Sequence, residues 1–180
     1  MKMFDVFDGH NDVLLRLWMK GNALKKDGKA ISQLYCEGFD AHIDHGKAKE
    51  GGLKGGFFAM FVPQQNSSGD AILGTDPIAQ RDAETVTEAM FTILENLARD
   101  FPQDIAICTS HDEITSAMGR GVMACLPHIE GAEAIKPDLS IWRLIMNAAY
   151  DRLARYGHAL MLSGLAFLLA FRDRLIKETG

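Results

Sequence analysis

The chain has 180 residues, 47% of them hydrophobic and 24% charged, with a formal net charge of −5 and a sequence pI near 5.6. That is the composition of a folded globular domain with enough chain for one sizeable core. An excess of 24 acidic over 19 basic residues leaves no basic footprint for nucleic acid or anionic lipid, so neither is expected as a partner.

In chain order, Met3–Asp8 is β-compatible and ends at Gly9, which predicts a first strand. Acidic residues stand there where a secretory leader needs an apolar core. Val13–Trp18 predicts a short helix that stops near Gly21 and Asn22. Residues 21–56 carry eight glycines and many charges, the signature of a long excursion with little regular structure. Phe57–Val62 is an unbroken apolar run closed by Pro63, as expected of a strand buried on both faces in a parallel sheet. A polar loop (64–74) follows. Thr75-Asp76-Pro77 then predicts a helix start, continued by an apolar stripe at Val86, Met90, Ile93, Leu94, Leu97 and Phe101. Ile105–Cys108 is a third strand, Ser110-His111-Asp112-Glu113 a capping box opening a short helix, and Val122–Ile129 a fourth strand with Glu130-Gly131 at its end. Strands alternating with helices predict βαβ units in a parallel sheet. About four units fit before residue 135, whereas a closed (β/α)8 barrel needs at least roughly 200 residues.

The longest apolar run, Ala159–Phe171, interrupted only by Ser163 and Gly164, has 13 residues, short of the roughly 20 that span a bilayer. Cys36, Cys108 and Cys125 form no C-x-x-C pair, make no disulfide framework and suit a reducing compartment. A cytoplasmic chain without membrane contact is the expectation.

Two places carry chemistry. His10-Asn11-Asp12 follows the first strand. In extended backbone a His-x-Asp pair points imidazole and carboxylate to one side, where both can reach one metal ion; the plainer alternative is a turn in which Asp12 caps the next helix. Glu130 ends the fourth strand, at the sheet end where α/β sites are built, and a carboxylate there can bridge two cations. His128 lies two residues earlier on the same strand face, a ligand or a supporting partner; the plainer alternative for Glu130 is an exposed strand-end charge. His42, Asp44 and His45 are expected in a solvated loop, His111 at the surface, and Gly51-Gly52 and Gly55-Gly56 lack the Lys-Ser/Thr ending of a phosphate loop.

Phe7-Asp8-Gly9-His10-Asn11-Asp12 resembles the opening of the renal (membrane) dipeptidase family of zinc dipeptidases. Gly51-Gly52-Leu53-Lys54-Gly55-Gly56 running into Phe57–Pro63 looks like that family's second strand, and His128-Ile129-Glu130-Gly131-Ala132-Glu133-Ala134-Ile135 like its bridging-glutamate block. The resemblance covers residues 3 to about 140. It implies an α/β fold, the N-terminal half of a (β/α)8 (TIM-like) metal-dependent hydrolase barrel. It further implies two zinc ions at the C-terminal face: His10 and Asp12 on the first, and Glu130 bridging both at the catalytic centre. The implied reaction is hydrolysis of a dipeptide substrate by an activated water. Related amidohydrolases usually open with His-x-His, so His-x-Asp favours the dipeptidase branch. The family's later ligands for the second zinc have no counterpart here. Residues 1–140 are thus read as a dipeptidase-like half-barrel and 141–180 as a divergent helical tail, readable as out of frame. Self-association through exposed barrel edges is expected of such a piece. A non-catalytic truncated remnant and a related metal-dependent amidohydrolase stand as alternatives.

Overall fold

The structure, a computed structural model, describes residues 4–24, 31–39, 41–65, 71–72, 80–131 and 133–135. Its centre is a four-stranded, all-parallel sheet of β1 (Val6–Asn11), β2 (Leu53–Phe61), β5 (Ile105–Ile107) and β6 (Met123–Glu130), in the order β1-β2-β6-β5. A separate antiparallel pair joins β3 (Gln64–Gln65) to β4 (Ala71–Ile72). The helices are α1 (Val13–Leu24), α2 (Ile31–Glu37), α3 (His45–Glu50), α4 (Gln80–Asp100) and α5 (His111–Gly119). None of those described is long and apolar enough to cross a membrane.

β2 is long and apolar because it lies in the sheet interior, between β1 and β6. Successive residues Phe58, Ala59 and Met60 are all buried, as a strand covered on both faces requires. Phe58 and Met60 face one way, with Met123 and Cys125 of β6 and Ile105 of β5. Against them pack Leu14 and Leu17 of α1, Tyr35 of α2, and Val86, Met90, Ile93, Leu94 and Leu97 of α4. The stripe on α4 recurs every three or four residues, so a single helix face enters this core. On the opposite face, Phe57, Ala106, Ala124 and Leu126 meet Ile114, Ala117 and Met118 of α5. This second face, called the inner face below, is covered by α5 near the strand starts.

α5 opens with the predicted capping box, complete in both directions: the Glu113 N–H donates to Ser110 Oγ at 3.3 Å, and the Ser110 N–H to Glu113 Oε2 at 3.1 Å. His111 is exposed as expected.

Several boundaries and one segment differ from the sequence reading. The first strand begins at Val6 and runs on through His10 and Asn11. The 21–56 excursion holds two helices, α2 and α3. Asp44, expected in a solvated loop, is a buried helix cap whose Oδ1 accepts from the Lys47 N–H at 2.9 Å. His45 packs on the Tyr35 ring and reaches Asp104 at 3.3 Å. Gly55-Gly56 lies within β2, where close strand packing needs it. The predicted helix start at Thr75-Asp76-Pro77 and the tail at 141–180 lie outside the described residues.

Candidate metal centre

β1 carries one more residue than its partner between two register points: Asp8 pairs with Gly56 and Asn11 with Phe58. Such a bulge resets the alternation of side chains along a strand and re-aims those beyond it. The Asp8 carboxylate supports the kink by accepting from the His10 N–H at 3.1 Å. Past it, Asn11 is buried on the face of Phe58, so His10 and Asp12 turn to the inner face. Asp12 also starts α1, its carbonyl accepting from the Arg16 N–H at 3.0 Å, while the Asn11 side chain reaches the Val13 N–H at 3.4 Å. The Asp12 carboxylate points to His10 instead.

Glu130 ends β6, two strands away, on the same inner face as His128. His10 Nε2 lies 3.5 Å from Asp12 Oδ1 and 3.6 Å from Glu130 Oε2, and one donor atom from each of the three falls within 4.8 Å of the others. Distances of this size are too long for good hydrogen bonds. They match two donors of one tetrahedral ion, which at bond lengths of about 2.1 Å stand about 3.4 Å apart. Side-chain exposures of 44% for His10, 49% for Asp12 and 42% for Glu130 leave the three donors open to solvent. One imidazole and two carboxylates also balance the charge of a divalent cation. On spacing, charge and donor chemistry, the residues fit such an ion. Among the described residues this is the one group of three such donors.

His128 lies beside the group, its ring 6.2 Å from that of His10 and nearly perpendicular to it, and 5.8 Å from Phe57. Burial holds its pKa below the usual histidine value, the neighbouring His10 pushes the same way, and Glu130 opposes. The three cysteines are free and none belongs to the group: Cys108 and Cys125 are buried and Cys36 partly so.

Sequence spacing marked His10, Asp12, Glu130 and His128. It missed the bulge, which leaves no residue signature beyond Asp8-Gly9, and the aromatic packing behind His128.

Comparison with known proteins gives a consistent picture. The family model for membrane dipeptidase (peptidase family M19) matches residues 1–153. A metallopeptidase from Rhodobacter sphaeroides, solved with a phosphinate mimic of the dipeptide L-Ala-D-Ala, is 32% identical with a TM-score of 0.69, covering 82% of this chain and 44% of that one. A dipeptidase designated AC, a metallopeptidase of family M19, is 33% identical with a TM-score of 0.67, covering 81% and 40%. An uncharacterised protein encoded in the PQQ-III 3′ region of Acinetobacter calcoaceticus is 28% identical over 168 residues. The chain spans about half the length of that curated relative, 51%.

Proposed function

The chain belongs to the membrane dipeptidase family, and on that premise we propose that His10, Asp12 and Glu130 hold a divalent cation, zinc by preference, for hydrolysis of a dipeptide. The observation that carries this is the spacing of the three donors, 3.5 and 3.6 Å about His10 Nε2, at the C-terminal ends of parallel strands. In barrels of this architecture that end is where catalytic groups gather.

A cation held there supplies Lewis acidity and a water acidic enough to attack a carbonyl near neutral pH. The chain's own residues do the rest. His10 in β1 and Asp12 just past its end are held in position by the bulge and by the start of α1. Glu130 approaches from β6 across the width of β2, and it is the carboxylate we place at the reacting centre. The phosphinate ligand of the Rhodobacter relative makes L-Ala-D-Ala the first substrate to try.

The test is turnover of a dipeptide panel by the zinc-loaded chain beside Glu130→Gln. Metal-dependent hydrolysis that is lost in the variant supports the proposal. Equal background rates in both proteins would make the chain a non-catalytic relative. Turnover of cyclic amides in preference to dipeptides would place it among other metal-dependent amidohydrolases.

A further inference from the structure

Four rings lie edge-to-face across the inner face of three strands. Phe7 of β1 meets Phe57 of β2 at 5.9 Å and 89°. Phe57 meets His128 of β6 at 5.8 Å and 73°, and His128 meets His10 of β1 at 6.2 Å and 83°. Each separation and angle falls in the range aromatic pairs favour. The row begins where Gly55 makes room for it: a Cβ there would stand 3.0 Å from the Phe7 ring. It ends on the imidazole that stands between Asp12 and Glu130.

His128 could serve the site in two ways, as a further ligand or as the support of one. The donor atoms favour the second. His10, Asp12 and Glu130 form a group within 4.8 Å, and among the described residues His128 belongs to no such group of three. Its ring, by contrast, packs on His10 directly. Half-exposed and on a strand end, His10 has a backbone N–H held by Asp8 but gains no packing on its ring from the large core, which lies on the other face.

We propose that His128 is a positioning residue, holding the His10 imidazole in its ligating orientation by edge-to-face packing that Phe57 backs from behind. The inference rests on His10 being a metal ligand. What the ring contributes is shape, so a phenyl ring at position 128 should substitute for it and a methyl group should not.

Cobalt(II) titration of the full chain, followed by visible d–d absorption, tests this with His10→Ala, His128→Ala and His128→Phe beside the wild type and thermal melts to establish folding. Wild type is expected to bind, His10→Ala to lose the site, and His128→Ala to bind about tenfold more weakly, as loss of a ligand's supporting partner does. His128→Phe should return to within about twofold of wild type if ring packing is what matters. Wild-type affinity in a folded His128→Ala overturns the inference while leaving the metal site standing. So does His128→Phe binding as weakly as His128→Ala, which would make a nitrogen of His128 the essential atom. A wild type that takes up no cobalt overturns the metal site itself, and the inference with it.

Discussion

Gly55 is the position at which a single methyl group should disturb both the fold and the candidate metal centre. It sits in β2, paired with Phe7 on one side and Ala124 on the other. A Cβ added there would lie 2.7 Å from the Ala124 carbonyl oxygen, 3.0 Å from the Ala124 Cβ and 3.0 Å from Phe7 Cε2, well inside an ordinary contact of about 3.5 Å. The Phe7 ring is able to swing away, but the Ala124 atoms belong to a hydrogen-bonded central strand that must move as a unit. Overpacking of this kind costs about 1–3 kcal/mol, which for a chain of this size lowers the melting temperature by about 2–12 °C. The displacement should not stay local. β1 and β6 carry the donors and β2 is the spacer between them, so Gly55→Ala should also weaken cobalt binding while the chain remains folded. Circular dichroism melts with and without metal are the assay, and Gly119→Ala is the control. A Cβ at Gly119, in the last turn of α5, meets nothing within 4 Å and should be neutral or stabilising by up to about 1 kcal/mol. Gly55→Ala melting with the wild type would refute the reasoning, because it would mean that β2 and β6 separate freely.

Asp44→Ala should cost about 1 kcal/mol at neutral pH through loss of the α3 cap. Donation from the Lys47 backbone holds the Asp44 pKa below the usual carboxylate value, so its contribution is complete above that value and is lost as the pH falls through the lowered one. Denaturant midpoints of wild type and variant should therefore converge in strong acid, and a constant gap down to pH 2 would contradict the assignment. Burial, with acidic neighbours opposing thiolate formation, pushes Cys36 and Cys108 up to about 11, and burial raises Cys125 well above the ordinary thiol value. At pH 8 a thiol of pKa 11 is ionised to about one part in a thousand, so iodoacetamide should label none of the three until the chain is unfolded; rapid labelling of the native protein would refute this.

What the sequence disclosed follows from where each element is buried. β2 was readable because both its faces are covered, so its apolar residues run on without alternation. α4 was readable because its one buried face repeats over many turns. α2 was not: seven residues, with only Ser32 and Tyr35 buried, give too little periodicity to stand out among glycines and charges. Such a short helix forms because Tyr35 enters the core and its hydroxyl meets Met123 Sδ at 3.7 Å, a long-range contact that local sequence does not announce. In the candidate metal centre, the two-residue spacing of His10 and Asp12 was legible as strand geometry. Their turn to the inner face was not, since it depends on a bulge defined only by the register of a neighbouring strand. Nor does local pattern say that Glu130 meets residues 118 to 120 positions earlier.

That meeting depends on the strand order. Two sheet spacings, about 10 Å, separate β1 from β6, a gap that His10 and Glu130 close from opposite sides. Had the strands been laid down in chain order, β5 would stand between β2 and β6. The gap would then be about 14 Å, and no ion could be shared. The chain instead passes from β2 over α4 to β5 at the far edge and comes back over α5 to β6. Parallel crossovers are right-handed, so reversing direction across a sheet obliges the returning helix to use the other face. This is what the cores show, α4 on the face of Phe58 and α5 on the face of Leu126. The price of bringing Glu130 within reach of His10 is thus a helix on the very face that holds the donors. The site stays open because α5 is only nine residues long and packs on Ala124 and Leu126, toward the start of β6. Glu130 at its end keeps 42% of its side chain exposed.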